Sequence, residues 1–292
     1  MEKIVKSPSK HYSPLRYPGG KAGLSNYLST LIKNNNIKDC TYVEPYAGGA
    51  GAALTLLFLE KVDSIFINDL DKAIYSFWKS ILTQTDKFIK KIHNAELSME
   101  EWYRQRDIYR NKRSNQLDLG FATFYLNRTN RSGIIEGGPI GGVNQTGNWL
   151  IDARFNKSAL IERIKNIASY KSRIKVTNKD GIELLKELHK NKNYFIYLDP
   201  PYFIKGSCLY LNHYKTDNHE RLANFLNKHN KFYWVLTYDN VKPIKDLYSE
   251  RRLYDFSFNY HIDLPKLGKE ILVLSDKVNW NEAPLSLECL NN

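Results

Sequence analysis

The sequence predicts an α/β fold, and three observations carry that reading. Strand-like apolar runs alternate with helix-like segments along most of the 292 residues. One run, Tyr194 to Leu198, stops at Asp199-Pro200-Pro201-Tyr202, because two prolines cannot continue a sheet ladder. The acid and the aromatic ring are thereby left at a strand's carboxyl end, where open α/β sheets hold ligands. A carboxylate, a rigid Pro-Pro carbonyl and a ring suit a planar group that carries an amino function. The third observation is a break in the alternation between about Ala95 and Tyr170, too long for a plain connection inside a sheet.

Taken in order, Thr41 to Tyr46 reads as a strand of aromatic and β-branched residues that runs into a Gly-rich turn. Ala50 to Glu60, rich in Ala and Leu, follows as a helix. Ser64 to Asn68 is a second short strand that ends in Asp69, and Lys72 to His93 has the pattern of one long amphipathic helix. After the break, Arg173 to Thr177 is a strand and Ile182 to His189 a helix. Tyr194 to Leu198 is the next strand, His219 to His229 a helix, and Phe232 to Tyr238 a further strand. Leu253 to Tyr260 and Ile271 to Leu274 pair as an antiparallel edge hairpin.

The break opens with helical patterns around Ser98 to Asn111 and Leu117 to Asn127, then a Gly-rich stretch from Ser132 to Asn148. It reads as a subdomain, 95–170, inserted into a domain made of 1–94 and 171–292. From Glu101 to Arg131 it carries seven Arg and Lys against three Asp and Glu, with aromatic residues interleaved. The whole chain has a formal net charge of +12, which favours a polyanionic partner, although a solvated basic surface gives the same number. Arg104, Arg106, Arg110, Lys112 and Arg113 suit phosphate contacts, or a solvated helix face. Asn127, Arg128, Asn130 and Arg131 are of the types that read base edges in a groove. The three cysteines and seven histidines show no metal-ligand spacing, so no metal is expected. No run is long and apolar enough to span a bilayer, and Met1 to Tyr12 has no signal core. These readings give a cytoplasmic protein with no membrane association.

Two further motifs carry chemistry. Glu44-Pro45-Tyr46-Ala47-Gly48-Gly49-Ala50-Gly51 joins a strand to a helix, but it is not the spacing of a dinucleotide loop. With Asp69 placed where a ribose-binding acid belongs, it suits a nucleoside-bearing cofactor; the plain alternative is a tight turn with an acidic neighbour. Leu15-Arg16-Tyr17-Pro18-Gly19-Gly20-Lys21 is a Pro-Gly turn whose N–H groups and lysine could hold a carboxylate. An ordinary type II turn is the alternative there.

Together these motifs resemble the Dam-type (alpha-group) DNA adenine-specific methyltransferases, which use S-adenosylmethionine. The resemblance runs from about Leu15 to Asp276. Tyr17 to Lys21 matches the family's first element, Glu44 to Gly51 its cofactor loop, Asp69 its ribose-binding acid and Asp199 to Tyr202 its catalytic tetrapeptide. It implies a Rossmann-like methyltransferase sheet with helices on both faces, and a mostly helical target-recognition insertion with a β-hairpin that begins near Phe124 to Gly133. Asp152 to Lys157 and Thr237 to Asn240 also look familial.

The resemblance implies Asp199, Pro200, Pro201 and Tyr202 as the catalytic set. It implies Tyr17, Gly19, Gly20, Lys21, Glu44, Pro45, Tyr46, Gly48, Gly49, Asp69, Asp180 and Asp199 around S-adenosylmethionine. Asp69 would meet the ribose, Lys21 the methionine carboxylate, and Tyr17 and Tyr46 would form apolar walls. Asp180 would approach the adenine edge, a position that equally suits a helix N-cap. The implied partner is double-stranded DNA, with a restriction endonuclease acting separately, and GATC is the target by analogy. Two departures stand out: Glu44 replaces the commoner Asp, and Ser132 to Asn148 differs from the Dam hairpin. An RNA adenine methyltransferase and a catalytically silent DNA-binding relative are the alternative readings. Attack at a cytosine carbon is disfavoured, because Cys40, Cys208 and Cys289 all lack the preceding proline.

Overall fold

The computed structural model describes residues 12–17, 20–111, 114–203, 216–262, 264–280 and 288–289. Among them, eight strands form one sheet: β1 (Thr41–Glu44), β2 (Ser64–Asn68), β3 (Ile174–Thr177), β4 (Tyr194–Leu198), β5 (Tyr233–Asp239), β6 (Arg252–Ile262), β7 (Leu264–Leu274) and β8 (Glu288–Cys289). Their spatial order is β3-β2-β1-β4-β5-β7-β6-β8. The first five are parallel, and β7 runs antiparallel to both β5 and β6. The chain order reverses between β1 and β4, and the crevice at such a point is where open sheets bind ligands.

Strand residues alternate between two cores, as a pleated sheet covered on both faces requires. Tyr42, Ile65, Phe195 and Tyr197 enter one core. Val43, Phe66, Ile196 and Leu198 enter the other. The first is covered by α1 (Ser25–Asn34), α2 (Gly51–Phe58) and α3 (Lys72–Thr83), through Leu28, Leu54 and Phe77 among others. The second is covered by α8 (Gly181–Leu188), α9 (Thr216–Lys228) and α10 (Lys242–Leu247), through Leu185, Leu222 and Ile244.

The long helix expected over Lys72 to His93 is two helices, α3 and α4 (Thr85–Asn94), with a break at Gln84 (φ −134°). Thr83 and Thr85 turn their hydroxyls back to the carbonyls of Lys79 and Ile81, and such back-bonding bends or interrupts a helix. The inserted region supplies α5 (Met99–Arg110), α6 (Gln116–Thr129) and α7 (Lys157–Ser169). Ser98, Asn115 and Asn156 each cap one of these helices with a side-chain oxygen. Gly120 lets α6 lie against α3, since a Cβ there would stand 2.6 Å from the Ser76 carbonyl oxygen. Phe77 and Phe124 stack with centroids 5.9 Å apart, so the insertion grows out of the first core. Its hairpin is a single antiparallel bridge, Asn130 with Pro139. Among the described residues, no helix is long and apolar enough to cross a membrane.

Candidate active site

The turn after β1 is tied to the ends of β2 and β3. The Ala47 N–H donates to the Asn68 carbonyl at 2.9 Å. The Asn68 side-chain amide donates to the carbonyls of Pro45 and Lys179, each at 2.9 Å, which joins the loops that follow β1 and β3. The Gly48 N–H donates to Asp69 Oδ2 at 2.9 Å, and Trp78 Nε1 donates to the Gly48 carbonyl at 2.9 Å. Gly48 has φ +46°, and a Cβ on it would stand 2.6 Å from the Tyr17 ring. Tyr17 therefore lies flush on this turn and brings the N-terminal motif to it.

Two acids line the turn. Glu44 is buried at the end of β1 and accepts from the Ala53 N–H at 3.1 Å. Burial pushes its carboxyl up to about 8, so it is largely protonated at neutral pH and can donate as well as accept. Asp69 is only partly covered, and its second oxygen accepts from the Asp71 N–H at 2.9 Å. The surrounding protein pushes it up to about 7, desolvation being the main cause. Asp180 caps α8, accepting from the N–H groups of Ile182 and Glu183 at 3.0 and 3.1 Å. Of its two expected roles, the cap is the one its oxygen performs. Tyr46 covers Gly181 at the same helix start, where a Cβ would stand 2.5 Å from the ring.

Because β4 pairs with β1, Asp199 emerges beside this turn. Its Oδ1 accepts from Thr237 Oγ1 at 3.0 Å, and that hydroxyl also meets the Tyr197 hydroxyl at 2.7 Å. Its Oδ2 lies 3.1 Å from Lys21 Nζ. Lys21, expected at the methionine carboxylate, thus has its buried ammonium at Asp199. The same ammonium donates to the Tyr202 hydroxyl at 2.8 Å, and that hydroxyl donates to Glu270 Oε1 at 2.6 Å. Burial raises the Tyr202 hydroxyl well above the usual range, so it stays protonated. After Tyr202, the Phe203 N–H donates to Asp239 Oδ1 at 3.0 Å and sets the direction of the chain. Pro200 is buried, Pro201 and Tyr202 are half-buried, and Gly20 closes its turn on the Tyr17 carbonyl at 3.1 Å. Gly19 lies outside the described residues.

A family model described as the D12 class N6 adenine-specific DNA methyltransferases matches residues 17–262. The chain belongs to this family. No curated protein matches the sequence. A candidate RNA methyltransferase from Pyrococcus horikoshii is similar in structure, at 9% identity and TM-score 0.41, covering 94% of this chain and 92% of that one. The rRNA methyltransferase aviRa from Streptomyces viridochromogenes gives 13% identity and TM-score 0.35, covering 88% and 86%.

Membership makes this D12-class chain an adenine methyltransferase and implies S-adenosylmethionine as its methyl donor. The residues present fit such a donor: a turn pared of side chains at Gly48 and Gly49 beneath an aromatic ring, with a carboxylate, Asp69, at its edge. Among the described residues, no group of three His, Cys, Asp or Glu is placed to hold a metal ion.

The expected DNA-contacting residues of this D12-class enzyme are sorted by the structure. Asn127 and Asn130 are fully buried, a correction to their reading as base-edge contacts. The Asn127 side chain pairs with the Arg16 backbone at both N–H and carbonyl (2.7 Å each) and donates to the Gly133 carbonyl at 2.8 Å. The Asn130 amide donates to the carbonyls of Ile134, Ile135 and Gly137, and its oxygen accepts from Trp102 Nε1 at 2.7 Å. Their amides are used up in shaping the hairpin.

Arg128 is half-buried and donates to the Arg154 carbonyl at 2.7 Å. Burial pulls it down to about 9, and the nearby cations Arg16, Arg163 and Arg154 add to the shift. Arg131 is exposed. Arg104 is exposed but forked onto Glu101 at 2.6 and 2.7 Å, and Arg106 lies over the Trp102 ring at 5.0 Å. Arg110 is exposed, and Lys112 and Arg113 lie outside the described residues. Sequence reading missed Asn68, Arg16 and Glu270. The only trace of Glu270 is a lone acid that opens an apolar strand run, Ile271 to Leu274.

Proposed function

We propose that this chain is a site-specific methyltransferase acting on the 6-amino group of an adenine turned out of duplex DNA. The observation that carries the reading is Asp199. One of its oxygens is fixed by Thr237 and the other stands at Lys21, on a partly open carboxylate beside the glycine turn. The amino nitrogen of adenine is a poor nucleophile, because its lone pair is delocalised into the ring. Asp199 Oδ2 accepts one N–H and the Pro200 carbonyl the other, which draws the nitrogen towards a tetrahedral form and frees the pair. S-adenosylmethionine, which the turn and Asp69 would hold, would supply the methyl group and leave as the neutral thioether, and the surplus proton on the amino nitrogen would pass to water. The protein's own contribution is positioning and electrostatics. Tyr202 stacks on the base, which must leave the duplex because its amino group is otherwise paired and stacked.

The test is transfer of labelled methyl from S-adenosylmethionine to duplex DNA and to folded RNA, followed by mapping of the methylated adenines. Transfer to DNA at one short sequence is expected, and transfer to RNA alone would replace this reading with the RNA alternative. Asp199→Ala is expected to lose at least about a thousandfold in turnover while binding the donor nearly as well by calorimetry. Wild-type-like turnover by that variant would remove Asp199 from the role.

A further inference from the structure

Glu270 lies on β7, beyond the residues matched by the family model, and is 1% exposed. A carboxylate so deep is costly unless something repays it. Its Oε1 accepts from the Tyr202 hydroxyl and stands 3.5 Å from Lys21 Nζ. Its Oε2 has no hydrogen-bond partner among the described residues.

The arrangement has one cation and two acids. Lys21 sits between Asp199 Oδ2 at 3.1 Å and Glu270 Oε1 at 3.5 Å. Thr237 donates to Asp199 Oδ1 and Lys21 stands at Oδ2, which keeps a second lone pair for substrate. Were Lys21 balanced by Asp199 alone, the pair would be neutral and Asp199 a weak acceptor. A second acid on the same ammonium restores a net negative charge where positive charge arrives on the amino nitrogen.

We propose that Glu270 is a positioning residue that shares Lys21 with Asp199, anchors the Tyr202 hydroxyl, and so keeps Asp199 Oδ2 a strong acceptor. This rests on the methyl transfer proposed above. Lys21, Asp199, Tyr202 and Tyr197 face Glu270 electrostatically; its register partners are Asp239 on β5 and Phe256 on β6. Burial raises the Glu270 carboxyl, and Lys21 opposes that shift. Protonating Glu270 returns the whole lysine charge to Asp199. Turnover therefore falls as pH drops through the titration of Glu270.

The test is Glu270→Gln, which keeps an oxygen for Tyr202 and deletes the charge. The expected result is a kcat about ten- to a hundredfold lower at pH 8, with KM for donor and DNA within about threefold. Its pH profile should be flat where the wild type rises, the two curves meeting at low pH. Parallel profiles, or a wild-type kcat, would overturn the inference and leave methyl transfer standing; a wild type inert on adenine would instead overturn the reading beneath it. Should the variant fail to fold, wild-type protein carrying ¹³C at its glutamate carboxyls answers the question. One buried carboxyl must titrate together with the acid limb of kcat, and its absence would sink the proposal.

Discussion

Asn127 and Asn130 show how far a residue type can mislead. An asparagine amide pairs equally well with an adenine edge or with a peptide group, and only burial decides between them. Flanked by Arg128 and Arg131, both look like groove contacts in the sequence, yet both are buried and spent on backbone. Asn130→Ala would strip partners from Trp102 Nε1 and from the carbonyls of the following turn. A loss of about 2–4 kcal/mol in folding stability is expected from urea denaturation. A change below about 0.5 kcal/mol would mean that the amide is dispensable. Asp199 and Lys21 stand out in the sequence because Pro or Gly marks their turns, and Asp69 because it ends a short apolar strand run. Glu270 does not, because a mid-sheet acid is marked by nothing local and acquires its role only when β7 inserts beside β5.

At the scale of elements, the glycine turn is the part whose geometry the sequence announced. Gly48 has a positive φ and meets the Tyr17 ring, so Gly48→Ala is strained twice, in backbone and in space. Donor affinity is expected to fall about tenfold or more by calorimetry, with DNA affinity by fluorescence anisotropy little changed. Equal losses in both would point to general unfolding instead. Three helices escaped the sequence reading, the shortest being Lys242–Leu247. The first, Ser25–Asn34, is rich in Ser, Asn and Thr, which compete with their own backbone. The seventh, Lys157–Ser169, lies in the part of the break to which no element was assigned, although Asn156 caps it in the ordinary way. The edge hairpin was visible, but its placement with β7 rather than β6 against β5 was not, since pairing order is a tertiary choice.

For the molecule as a whole, Glu44 links folding to pH. Its carboxyl moves from the ordinary 4.5 to about 8 on folding, so between those values the folded form holds a proton that the unfolded chain has released. That stabilising contribution is complete below about 4.5, shrinks as pH rises and is gone above about 8. Glu44→Gln is expected to flatten the melting temperature across this window and to gain on the wild type at the alkaline end. Identical slopes in the two proteins would exclude Glu44 as the source. The chain's +12 charge likewise predicts DNA affinity that falls steeply with added salt, measurable as a log-log slope.

One further consequence follows from a single peptide unit. Arg16 is clasped by Asn127 of the insertion, while its neighbour Tyr17 presses on Gly48. A tilt of α6 is expected to carry Arg16 and, through it, Tyr17, so that this link would act as a short lever between the insertion and the glycine turn. Loading one ligand is expected to change the dissociation constant of the other, and thermodynamic reciprocity requires the same factor in both directions. Titrating each ligand with and without its companion would measure the arm of that lever.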